Sequence, residues 1–83
     1  MSLFIFNIEV LKRRRNDIIL TQCGLNIKRL RIQNNLSQEE ISSMLNMDFS
    51  QYGKIERGKI NITISTLYYI AQALNVQPSD LLT

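Results

Sequence analysis

The chain has 83 residues, enough for one small domain whose folding buries only about 60% of the surface the unfolded chain exposes. It contains no His and one Cys, which excludes histidine acid–base catalysis, Cys/His zinc sites and an intramolecular disulfide. Ten Lys and Arg against seven Asp and Glu leave a net charge of +3, an excess that permits a polyanionic partner without requiring one.

Residues 1–23 read as an N-terminal extension or arm, and residues 24–83 as the folded domain. The extension holds Lys12, Arg13, Arg14 and Arg15 against Glu9 and Asp17, so it is the more basic part per residue. Phe4, Phe6, Ile8 and Val10 alternate with other residues, a period of two that favours a strand. Asp17 to Thr21 supplies a second short apolar run, with Arg13 to Asn16 as a turn, which would make a hairpin; a helix through residues 8–20 stays open. The apolar run Leu3 to Leu11 is far short of the roughly 20 residues a membrane-spanning helix needs. The basic cluster follows that run, whereas a secretory signal has it in front. With Cys23 suited to a reducing interior, the expectation is a cytoplasmic chain with no membrane association and no cofactor.

From Gly24 onward the period becomes helical. Ile27, Leu30 and Arg31 share one face; so do Ile41, Met44 and Leu45, then Tyr52 and Ile55, then Leu67, Ile70, Ala71 and Leu74. Ser37-Gln38-Glu39-Glu40 forms a capping box, and Asp48-Phe49-Ser50-Gln51 has the same form. Between them Asn46 suits the left-handed conformation that ends a helix, and Gly58 does so after Arg57. Asn61 or Thr63 starts a fourth helix, and Pro78 suits the first position of a short fifth one.

A helix, a short turn and a second helix make a helix-turn-helix pattern. Counting from Gln38 as the first position, the fifth must be small and is Ser42, and the ninth must tolerate a left-handed backbone and is Asn46. The eighth, tenth, fifteenth and eighteenth must be apolar and are Leu45, Met47, Tyr52 and Ile55. The order Ile27-Lys28-Arg29-Leu30-Arg31, Leu36-Ser37-Gln38-Glu39-Glu40-Ile41, Ile55-Glu56-Arg57-Gly58-Lys59 and Leu67 through Val76 closely resembles the Xre/Cro family, the lambda-type phage repressor fold. The resemblance covers residues 25–82 and is silent on residues 1–20.

The resemblance implies an all-α, five-helix bundle carrying a helix-turn-helix, preceded by the short extension. It places a buried ion pair on Arg31 and Glu56 that positions the recognition helix. Groove-facing residues fall on Phe49, Ser50 and Lys54, with Gln51 and Gly53 near the rim. Gln38 falls on a phosphate-contacting position, and Arg57, Lys59 and Asn61 on positions approaching the DNA backbone. Lys54 can donate to guanine, Phe49 can press on a thymine methyl, and Ser50 is nearly neutral in preference. Gly53 costs about 1 kcal/mol relative to Ala inside a helix, either to admit a close DNA backbone or as drift on an exposed face.

The function expected is sequence-specific binding to double-stranded DNA as a homodimer that regulates transcription. Strand pairing by the extension, the Tyr68/Tyr69 region, or Val76, Leu81 and Leu82 would supply the dimer surface. One of Tyr68 and Tyr69 is expected to pack while the other shows its ring. The alternative is an antitoxin that binds a partner toxin. An enzyme and a small-molecule effector are not expected. The run Lys12 to Arg15 is either an arm that reaches DNA or a solvated turn.

Overall fold

The computed structural model describes residues 2–83, with side chains from residue 8 onward. Four α-helices follow in order: α1 (Ser2–Gln33), α2 (Gln38–Met44), α3 (Phe49–Glu56) and α4 (Ile64–Ala73). A single 3-10 turn at Pro78–Leu81 takes the place of a fifth helix. Pro stands at the start of that turn, and the Asp80 carboxylate accepts from the Gln77 N–H at 3.0 Å.

The extension is neither a strand nor a hairpin but takes the helical alternative for residues 8–20: α1 is one helix of 32 residues that runs through Gly24. Residues 1–23 contain no Gly or Pro to turn the chain. Once the body fixes the C-terminal turns of α1, each further residue adds one hydrogen bond without a new nucleation cost. Leu, Glu, Lys and Arg dominate residues 9–15 and favour propagation. The alternation through Phe4 and Phe6 involves side chains outside those described. Residues 11–19 are all exposed, so this half of α1 stands away from the body. The molecule is accordingly 50 Å long and 23 Å across.

All four helices end in the same way. Asn35, Asn46, Gly58 and Asn75 have φ of 57°, 53°, 68° and 61°. After each helix a backbone N–H returns to a carbonyl five residues earlier: Leu36 to Arg31, Met47 to Ser42, Lys59 to Lys54 and Val76 to Ala71, all at 2.9–3.1 Å. At the starts, Ser37 and Glu40 form the full capping box of α2, and the Thr63 hydroxyl accepts from the Thr66 N–H. Asp48 does hold the N-cap position of α3, but its side chain makes no capping bond, so the second capping box is not formed.

The core is Cys23 and Ile27 from α1, Ile41 from α2, Tyr52 and Ile55 from α3, Ile70, Ala71 and Leu74 around α4, and Leu81. Burial pushes the Cys23 thiol pKa up, which keeps it a neutral packing group. Ser42 is buried in α2, and its hydroxyl donates to the Gln38 and Glu39 carbonyls. Asn26, also buried, donates from Nδ2 to the Leu81 carbonyl at 3.1 Å and so ties α1 to the C-terminal turn. Met44, which its spacing assigns to the packed face of α2, is exposed, and so are both Tyr68 and Tyr69, of which one is expected to pack.

Two glycines set how α1 meets α3. A Cβ at Gly24 would lie 2.4 Å from the Glu56 carbonyl oxygen and 2.6 Å from that of Ile55. A Cβ at Gly58 would lie 2.8 Å from the Thr21 Cα. The backbone at the end of α3 therefore rests directly on the backbone of α1, which fixes the direction α3 faces.

Candidate nucleic-acid interface

Arg31 and Glu56 meet across α1 and α3. Arg31 Nε donates to Glu56 Oε2 at 2.6 Å, Nη2 to Oε1 at 3.3 Å, and Nη1 to the Leu36 carbonyl at 2.8 Å. Glu56 is nearly fully buried and also accepts from the Tyr52 hydroxyl and from Gln38 Nε2, the latter at 2.9 Å. One carboxylate thus gathers donors from α1, α2 and α3, and among the described residues no buried side-chain polar atom lacks a partner. Burial pushes the Glu56 pKa up, but the hydrogen bonds from Arg31, Tyr52 and Gln38 and the Arg31 charge outweigh it, and the net shift is downward. Burial, with the bond to Glu56, holds the Tyr52 phenol well above its ordinary range, so it remains a donor.

The sign of the Glu56 shift sets an acid limit. A carboxyl that is a stronger acid when folded stabilises the fold above its unfolded value, about 4.3 for Glu; that contribution is lost as pH falls through the folded value. Melting midpoints followed by circular dichroism from about pH 5 to about pH 3 should fall with acid, and Glu56→Gln should flatten the fall. Equal slopes in the two proteins would assign the acid sensitivity to other carboxylates.

The network holds α3 with one side inward and one outward. Tyr52, Gly53, Ile55 and Glu56 are buried; Phe49, Ser50, Gln51, Lys54 and Arg57 are exposed. The exposed set forms a continuous ridge, with Lys59 and Asn61 exposed in the segment that follows. Two expected site residues sit differently from a simple exposed rim. Gly53 is buried, because Arg57 folds back over it and brings Nη1 to 3.0 Å from where a Cβ would stand. Gln38 is half-buried and commits one amide hydrogen to Glu56, which leaves the second amide hydrogen and the carbonyl oxygen.

Sequence reasoning did not identify a cleft beside this ridge, lined by Thr21, Leu25 and Lys28 of α1 with Gln38, Glu56 and Arg57. Its signal was present in the seven-residue spacing of Thr21 and Lys28, two helical turns apart on one face of α1.

A short helix, a tight left-handed turn and a second helix with one polar exposed face define the helix-turn-helix class. The helix-turn-helix (HTH_3) family model matches residues 27–81. The control protein C.SmaI of Serratia marcescens is 40% identical over 58 residues, covering 70% of this chain and 69% of that protein. The crystal structure of the restriction-modification controller protein C.AhdI from Aeromonas hydrophila superposes with a TM-score of 0.71 at 32% identity, over 75% of this chain and 94% of that one. The hypothetical transcription factor NHTF from Neisseria superposes with a TM-score of 0.75 at 28% identity, over 78% of this chain and 75% of that one. The chain belongs to the HTH_3 family of helix-turn-helix proteins and is a DNA-binding transcriptional regulator. Among the described residues no helix is long and apolar enough to cross a membrane.

Proposed function

We propose that the chain reads duplex DNA in a sequence-specific manner as a homodimer, in the manner of a repressor or controller protein, and that it acts in the cytoplasm without catalytic activity. The observation that carries this reading is the ridge of Phe49, Ser50, Lys54 and Arg57, held outward by the buried Arg31–Glu56 network. Phe49, Ser50 and Lys54 face base edges. Gln38, Gln51, Arg57, Lys59 and Asn61 approach the sugar–phosphate backbone, with Gln38 presenting its remaining amide hydrogen to a phosphate. Gly53 has a different part: it makes room for the Arg57 side chain, which folds back over it.

A single module of this size covers roughly 600–1,000 Å² of DNA-contacting surface, which favours two copies for tight binding. The surface best suited to join them lies on α4. Ile64, Tyr68 and Tyr69 are exposed side by side, and Tyr69 also lines a groove with Met44, Leu45 and Ala73. Strand pairing by the extension is ruled out because that segment is helical; of the C-terminal set, Leu81 is wholly buried within its own chain while Leu82 is exposed. The relatives matched are controllers and regulators, which does not favour the antitoxin alternative.

Selection of bound sequences from random duplexes tests the proposal. The expected result is one enriched sequence with two related half-sites spaced by about 10 base pairs. Lys54→Ala should weaken that binding by about 1–3 kcal/mol and relax one position, while Arg57→Ala should reduce the salt slope by about one unit. No enrichment over random duplex would overturn the reading.

A further inference from the structure

The free half of α1 has no part in the helix-turn-helix, yet it is the largest exposed element of the molecule. Beyond Leu20 and Thr21, where Gly58 rests on its backbone, α1 buries nothing against the body through residue 11. It carries Lys12, Arg13, Arg14 and Arg15. Lys12 lies 3.7 Å from Glu9, but among the described residues no carboxylate is within ion-pair distance of the three arginines.

The face these cations share with the body is set by helical geometry. Thr21 and Lys28 line the cleft with Gln38 and Arg57. Arg14, Thr21 and Lys28 are spaced by seven, so each is turned only about 20° from the next, and Arg14 stands about 21 Å along the axis from Lys28. Arg13 and Arg15 flank that line on either side. Asp17 lies at its edge and offsets one charge. We propose that the N-terminal half of α1 is a rigid arm that continues the DNA interface outward, placing Arg14, with Arg13 and Arg15, on phosphates of the same duplex beyond the half-site read by α3. This rests on the DNA-reading proposal above.

A second copy of the chain is the competing occupant, since Leu11, Ile18, Leu25 and Ile32 are exposed at intervals of seven along α1. A coiled-coil seam needs two apolar positions in each seven. The companion positions here are Ile8, Arg15, Gln22 and Arg29, three of them polar. Pairing two such arms would also bring their arginine runs together with few carboxylates to oppose them. The charge balance and the continuity with the Lys28–Arg57 cleft both favour a polyanion.

The test uses the full chain and the sequence obtained by selection, in duplexes trimmed to the operator and in duplexes with about 10 extra base pairs on each side. On the long duplex, a variant with Arg13, Arg14 and Arg15 all replaced by Gln should show a salt slope shallower by about 0.9 for each arginine engaged. On the trimmed duplex the two proteins should bind alike, with the same base preferences, and Arg→Lys at the three positions should restore the slope. Equal slopes for wild type and variant on both duplexes, with specific binding intact, would overturn the arm while leaving the α3 reading in place. Loss of specific binding by the wild type would remove both. If light scattering shows a larger oligomer that Leu11→Ser with Ile18→Ser dissociates, the arm is a protein interface and the proposal fails.

Discussion

Glu56→Ala is expected to lose about 3–5 kcal/mol of folding stability, the cost typical of breaking a buried ion pair by removing one partner. Three donors from α1, α2 and α3 would lose their acceptor at once, and Arg31, whose side chain is only 11% exposed, would keep its charge without its partner. A domain of this size has about 4–12 kcal/mol in total at the usual density per residue, so the loss takes from about a quarter of that margin to all of it. Glu56→Gln should cost less, because its amide oxygen still accepts from Tyr52 and Arg31 Nε, although the charge is lost and its NH2 replaces the oxygen that took Gln38 Nε2 and Arg31 Nη2. Urea denaturation with an unchanged slope separates the two. A Glu56→Ala midpoint within about 1 kcal/mol of wild type would mean that the network contributes little to folding.

Gly24→Ala is expected to destabilise, although Ala is the better helix former by about 1 kcal/mol. The added methyl would meet the Glu56 and Ile55 carbonyl oxygens at 2.4 and 2.6 Å, and both are backbone atoms at the end of α3. No rotamer relieves that contact, so α1 and α3 must separate by about 1 Å to regain ordinary spacing. The core contacts on either side loosen with them, for a net loss of about 2–3 kcal/mol. Because α3 would also turn, DNA affinity should fall further than stability alone predicts. Gly53→Ala is the control. Its nearest obstacle is the far end of the Arg57 side chain at 3.0 Å, which has rotamers to move aside, so the helix-propensity gain should survive as a small stabilisation. Thermal melts that move both variants in the same direction would refute this account of the crossing.

These cases show what was readable from residues alone. The Ser37 box, the stop at Asn46, the turn at Gly58 and a fourth helix start at Asn61 or Thr63 follow from local chemistry, and the Arg31–Glu56 pair follows from the family resemblance; each has its counterpart in the fold, with Thr63 as the start. What stayed hidden depends on a distant neighbour. Gly24 reads as a boundary until the end of α3 is seen lying against it. Asn26 looks like a surface residue until Leu81 supplies its acceptor. Gln38 turns partly inward because Glu56, eighteen residues later, offers an oxygen. The extension was misleading for the opposite reason. Its alternation is a true local signal for a strand, overridden by propagation from a helix already fixed by the body. Tyr68 and Tyr69 both stay outside because the inward face of α4 is already filled by Leu67, Ile70, Ala71 and Leu74.

Three of the four helix ends use Asn where Gly is the usual choice, and Asn restricts the unfolded chain more than Gly does. Two of the three glycines stand where a side chain has no room: Gly24 and Gly58 both lie on the seam between α1 and α3. That seam admits no growth at either position. The outward side of α3, the outer half of α1 and the Tyr68–Tyr69 surface of α4 are all exposed and free to vary. A lineage built on this chain can therefore change what it recognises many times over while the angle that aims α3 stays the same.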